Sequence, residues 1–284
     1  MAPVTTEPHG FWVRPGDSDI NRPYGITWVY AHGYAGNPVF GATGRTDGTI
    51  AHDSMFGFLL DHPGDSLIVS GQPRPGHVKQ HGHRLMRYAR ERGTPVVLVG
   101  LSRGGQVMND IYRGRLHADG LVLISTPPTS KELAAPQRVL VQASRAIPAS
   151  VGAWFAHRFG KLLAADGVKL AKELGREDLI TELIEGAQES WWALGAAHAL
   201  ATYPGFGRPI AGDHVVVAHL PADKDGVVKV PQAKEKTLVS YPYAKLLTLE
   251  GVMAHGLPEL GGYAGPFRYE IRPHFAHMFG FANK

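Results

Sequence analysis

Six short runs in this chain are almost continuously apolar: "GITWVYAHG" (Gly25–Gly33), "DSLIVSG" (Asp65–Gly71), "PVVLVG" (Pro95–Gly100), "GLVLIST" (Gly120–Thr126), "HVVVAHL" (His214–Leu220) and "AKLLTLEG" (Ala244–Gly251). A strand with one face in water alternates apolar and polar residues, so an unbroken apolar run asks for cover on both faces. Four stretches with helical patterning supply that cover, roughly Val78–Glu91, Gln106–Leu116, Val230–Ser240 and Tyr269–Phe281. Strands alternating with helices specify an α/β fold, a parallel sheet joined by right-handed crossovers.

The alternation breaks once. Between "LISTPPTS" and "GDHVVVAHL" about 80 residues carry no strand pattern, while Leu179, Ile180, Leu183 and Ile184 repeat at helical spacing. The simplest division is a core of 1–128 and 212–284 with a helical cap inserted at 129–211. Trp154, Phe155, Phe159, Trp191, Trp192, Tyr203 and Phe206 form either that insertion's own core or the wall of an apolar acyl or aryl pocket. Tyr269, Phe275 and Phe279 are expected to pack a closing helix on the sheet.

Composition removes several function classes. The 284 residues include no cysteine, which excludes disulfides, thiolate chemistry and cysteine metal sites. No apolar run nears the roughly 20 residues that span a bilayer. The start, "MAPVTTEPHGFWVRPG", lacks the basic flank and apolar stretch of a secretory signal, so a cytoplasmic protein without stable membrane insertion is expected. The net charge is only +4, and Arg84, Arg87, Arg90 and Arg92 spread over a helix surface. That reads as a solvated face rather than a nucleic-acid stripe, which is denser and interleaved with aromatics. His77 and His81 share an i,i+4 face that suits a divalent metal, but His83 points elsewhere and no third ligand is evident. No metal and no organic cofactor are expected, and the oligomeric state is not legible.

The chemistry begins at "VVLVGLSRGGQV" (Val96–Val107), where a strand runs into glycines around one serine. Gly100-Leu101-Ser102-Arg103-Gly104 fits G-x-S-x-G, a sharp strand-to-helix turn that lifts the serine hydroxyl above the sheet. A plain glycine turn is the alternative, disfavoured by the strand before and the helix after. A serine hydroxyl needs a base, and His255, in "EGVMAHGLPEL" beyond the last strand, stands where an imidazole reaches back over the strand ends. The imidazole needs an orienting carboxylate. "PADKDGVV" offers Asp223 and Asp225 after the strand "HVVVAHL"; Asp225 is preferred, because its Asp-Gly turn leads through Val-Val into a helix near Pro231, and Asp223 is the alternative. Oxyanion donors come from "YAHGYAGNP" through the Tyr34 backbone N–H, and from the Arg103 N–H directly after the serine.

The order oxyanion loop, serine, aspartate, histidine, carried by "HGYAGNP", "GLSRGG", "ADKDGVV" and "MAHG", resembles the α/β-hydrolase superfamily. The resemblance implies a mostly parallel sheet flanked by helices, with an antiparallel edge strand for which "GFWVRP" is the candidate, and a cap before the acid-bearing strand. It implies Ser102 as nucleophile, His255 as base then acid, and Asp225 as orienting acid. The expected activity is cleavage of a small-molecule carboxylic ester with a hydrophobic acyl or aryl group, through an acyl-serine. Thioester, amide or lactone cleavage and perhydrolysis would use the same residues. Epoxide and haloalkane members carry aspartate at the serine's position, and a non-catalytic ligand cup is the rival outside enzymology.

Arg103 fits poorly. A positive side chain in the first turn of a helix opposes the helix dipole, which asks for compensation by a neighbouring carboxylate or by an acidic group on the substrate.

Overall fold

All six apolar runs join one sheet. The computed structural model describes residues 5–6, 12–15, 25–33, 38–45, 47–71, 77–114, 118–144, 168–169, 171–173, 175, 180, 193–250, 255 and 262–281. Its strands are β1 (Thr5–Thr6), β2 (Trp12–Arg14), β3 (Thr27–Ala31), β4 (Ser66–Ser70), β5 (Val96–Leu101), β6 (Gly120–Ile124), β7 (Val215–His219) and β8 (Lys245–Thr248), in the order β1-β2-β4-β3-β5-β6-β7-β8. β3 to β8 are all parallel, and β2, from the "GFWVRP" stretch, pairs antiparallel with β4. The helices are α1 (Pro38–Thr43), α2 (Val78–Arg90), α3 (Arg103–Arg113), α4 (Ala135–Ala143), α5 (Ala193–Thr202), α6 (Val230–Ser240) and α7 (Arg272–Met278). α4 and α5 lie between β6 and β7, and no strand interrupts that stretch among the described residues.

Successive strand residues face opposite sides, and both sides are apolar. Trp28, Tyr30, Val97 and Val99 pack under Phe56, Phe58, Phe267 and Phe275 on one face. Val29, Ala31, Val96 and Leu98 pack under α2 and α3, through Leu85, Met86, Val107, Met108 and Ile111, on the other. Tyr203 and Phe206, just past α5, join this second core. They seal the sheet rather than form a separate core in the inserted segment. The other aromatics assigned to the insertion, Trp154, Phe155, Phe159, Trp191 and Trp192, lie outside the described residues. So do Leu179, Leu183 and Ile184 of the periodic stretch, in which Ile180 is described as helical.

Two helices differ from expectation. α3 begins at Arg103, three residues before the expected Gln106, because the glycines that look like helix breakers pack against the sheet. The C-terminal helix is split. Phe267–Ile271 form a π turn, in which the Arg272 N–H donates to the Phe267 carbonyl, before α7. Pro273 has no N–H to offer Tyr269, so the i→i+4 ladder fails there and the turn widens. Phe275 is buried edge-on to Trp28, and Phe279 stacks on it, but Tyr269 is turned out to solvent at 73% exposure.

One buried carboxylate ties the sheet to the chain's C-terminal helix. Asp65 accepts from the Ile26 N–H (3.0 Å), Trp28 Nε1 (2.9 Å) and Arg272 Nε (3.4 Å). Arg14 donates to the Asp65 and Leu59 carbonyls. Cutting out the carboxylate orphans buried donors and leaves Arg272 unpaired. Asp65→Ala is therefore expected to cost about 3–5 kcal/mol, read as a lower urea midpoint with an unchanged m-value.

Candidate active site

The chain leaves β3 for β4 on one side and returns to β5 on the other, so a crevice opens beyond the carboxyl ends of β3 and β5, where ligands of open α/β sheets bind. Ser102 sits at that point, between β5 and α3, with φ 53° and ψ −120°. This left-handed conformation costs a non-glycine residue about 1–3 kcal/mol. The Ser102 N–H holds the turn by donating to the Ile124 carbonyl at 2.8 Å. The glycines make the turn sterically possible: a Cβ on Gly100 would lie 2.4 Å from Gly105 Cα, and one on Gly104 would lie 2.2 Å from the Ala31 carbonyl oxygen.

Three residues distant in sequence meet here. Ser102 Oγ is 2.9 Å from His255 Nε2. His255 Nδ1 is 2.9 Å from Asp225 Oδ1 and 3.1 Å from Oδ2. Asp225 Oδ1 also accepts from the Val227 (3.0 Å) and Val228 (2.8 Å) amides, which aim the carboxylate. Burial pushes the Asp225 carboxyl up, but His255, by charge and hydrogen bond, and the two amides together hold it below the ordinary carboxylate range. An ionised Asp225 requires His255 to donate from Nδ1, which leaves Nε2 to accept the Ser102 hydroxyl proton. Asp223, the alternative, is 73% exposed and lies beside Lys224, away from the imidazole's bonds.

Of the two expected oxyanion donors, Tyr34 lies outside the described residues. Arg103 is the first residue of α3, a position whose N–H has no intrahelical acceptor. Gly33, at the end of β3, stands against Ser102, 3.2 Å from an ideal Cβ to the serine Cβ. The Arg103 side chain is buried rather than solvated, with its guanidinium 6.0 Å from the centroid of the Tyr203 ring. No described carboxylate forms an ion pair with it.

The histidines near α2 are engaged elsewhere. His81 Nε2 is 2.6 Å from Ser70 Oγ, and His77 Nδ1 is 3.3 Å from Gln80 Oε1. Arg84, Arg87 and Arg90 are exposed, and Arg90 pairs with Asp119 at 2.8 Å. No described helix is long and apolar enough to cross a membrane.

Sequence reasoning missed His219. It ends β7, is 1% exposed, and neither ring nitrogen has a hydrogen-bond partner among the described residues. Burial, opposed by Asp225 and reinforced by Lys234 and His255, lowers its titration from 6.5 to about 4. The signal was present: it is the one polar side chain within "VVVAHL", six residues before Asp225.

No protein-family profile and no curated protein sequence matches the chain. Solved structures do. A carboxylesterase structure from Nitrososphaera gargenis superposes with TM-score 0.58 at 16% identity, covering 98% of this chain and 99% of that one. A bromoperoxidase from Bacillus anthracis gives 0.58 at 17%, covering 93% and 95%. An alpha/beta hydrolase from Sphaerobacter thermophilus gives 0.52 at 14%, covering 96% and 99%. At these identities the likeness is one of fold.

His219 sets a pH dependence of stability. The unfolded chain protonates this imidazole near 6.5, while the folded chain resists until about 4. Its share of stability is therefore whole above that window and is lost as pH falls through it, by about 3 kcal/mol. Urea denaturation at stepped pH should show a flatter loss between pH 7 and pH 4 in His219→Leu than in the natural protein.

Proposed function

We propose that this chain, which has the α/β-hydrolase fold, is a serine hydrolase that cleaves a carboxylic ester. One observation supports the reading above the others: a strained, glycine-flanked serine hydrogen-bonded to an imidazole that is itself held by a buried carboxylate. Each member supplies what the next lacks. Asp225 fixes the tautomer and stabilises the imidazolium, His255 takes the serine proton, and Ser102 Oγ attacks the carbonyl carbon. The carbonyl oxygen becomes an oxyanion, held by the Arg103 amide at the positive end of α3, with the Tyr34 amide as the second donor expected from the sequence. The tetrahedral adduct collapses, the C–O bond to the alcohol breaks, and the alkoxide leaves with the proton from His255. Water, deprotonated by the same imidazole, then attacks the acyl-serine and releases the acid and the free hydroxyl. The helical segment between β6 and β7 serves as the cap over this reaction.

The hydrophobic acyl or aryl preference is weaker than the reaction class. Tyr203 and Phe206, two of the residues behind it, face the sheet core.

A fluorophosphonate probe tests the nucleophile. Stoichiometric labelling of the natural protein that disappears in Ser102→Ala is expected; folded protein that stays unlabelled refutes the assignment and leaves a ligand cup. The acid is tested separately with p-nitrophenyl esters. Asp225→Asn should lower kcat on the order of 10³–10⁴-fold, whereas Asp223→Asn should stay within a few-fold. The opposite ranking reassigns the acid.

A further inference from the structure

We infer that the Arg103 side chain is the anchor for a carboxylate on the substrate, so that the ester cleaved at Ser102 carries a negative charge on the part that lies beside Arg103. The inference rests on the serine-hydrolase reading and adds a substrate class to it.

Arg103 is 5% exposed, and its Nε and Nη1 have no hydrogen-bond partner among the described residues. An unpaired cation withdrawn from water is strongly unfavourable, and arginine does not escape by giving up its proton. Burial lowers its proton affinity, with Tyr203 and Asp110 opposing. The neighbours do not discharge it. Asp110, two turns further along α3, is an exposed carboxylate that attracts Arg103 only at a distance and forms no ion pair with it; its Oδ1 accepts from the Tyr203 hydroxyl (2.7 Å) and Asn109 Nδ2 (3.3 Å). Tyr203 offers the guanidinium only its ring face. Gln106 donates through Nε2 to the Pro127 carbonyl, and its Oε1 is likewise without a partner, but an amide oxygen is no counter-charge. The first turn of α3 contains no acid, so the helix's own positive end adds to the field.

This guanidinium, with Nε and Nη1 buried and without a hydrogen-bond partner among the described residues, belongs to the residue after Ser102, whose Cα lies about 3.8 Å from the serine's. The guanidinium points along the flank of α3 that meets Tyr203, where the chain returns from α5 to the core. A carboxylate seated there is one arginine side chain from the scissile carbonyl. It would supply a direct ion pair, through charge-assisted bonds to Nε and Nη1 that a neutral ester cannot form.

Mono-p-nitrophenyl esters of succinic, glutaric and adipic acid, each set against the neutral p-nitrophenyl ester of equal chain length, test this directly. For at least one length, kcat/KM should favour the anionic ester by about tenfold or more, mainly through KM. In Arg103→Met that ratio should fall to about one or below, and in Arg103→Lys it should be intermediate. Freed of an unpaired buried charge, Arg103→Met should also melt higher than the natural protein in substrate-free buffer. Equal rates on both ester classes at every length, or an Arg103→Met that melts lower and loses both activities alike, overturn the anchor. Fluorophosphonate labelling of the natural protein separates the two claims: a labelled enzyme indifferent to charge sinks the anchor alone, and an unlabelled one sinks the hydrolase reading with it.

Discussion

A serine backbone held at φ 53° between a strand and a helix organises this molecule. The conformation persists only because its surroundings leave no alternative. Gly100 and Gly104 let α3 press against the ends of β3 and β5 at distances that any side chain would forbid. The Ile124 carbonyl captures the serine's N–H, so β6 as well as β5 holds the turn. Relaxing the turn would break contacts on both neighbouring strands. A local strain of a few kcal/mol is thus borne by the whole doubly covered sheet.

Buried polar groups are not satisfied equally across the fold. At the opposite end of the strands, Asp65 has its donors matched by backbone, indole and guanidinium. Above the strand ends, His219 and Arg103 retain open nitrogens in dry surroundings. A fold selected only for stability would fill such positions with apolar residues.

Much of this was legible in the residues. Unbroken apolar runs ask for a parallel sheet whatever their pairing partners, and all six parallel strands lie where those runs fall; β2 lies in the "GFWVRP" stretch but is not the edge, because β1 pairs outside it. Ser102, Asp225 and His255 were legible because each follows a strand end and comes in a fixed order. The misses share one cause, the packing of distant segments. α3 is expected from Gln106, and its start at Arg103 depends on Gly104 and Gly105 packing against neighbouring segments that the local sequence does not reveal. Tyr269 read as core until Pro273, four residues on, forces a wider turn and turns it outward. His219 read as part of a strand, because nothing local tells that its ring is sealed in beside Asp225.

The amino-acid order alone determined the architecture, the candidate residues Ser102, Asp225 and His255 and the absence of any thiol, because period, glycine placement and side-chain type are local properties. Tertiary structure decided which aspartate meets His255, since only the curvature of the loop after β7 brings the Asp225 carboxylate to the imidazole and leaves that of Asp223 in water. It decided also that the Arg103 guanidinium is buried without an ion pair among the described residues, because burial is a property of everything that folds over a residue and of nothing written beside it.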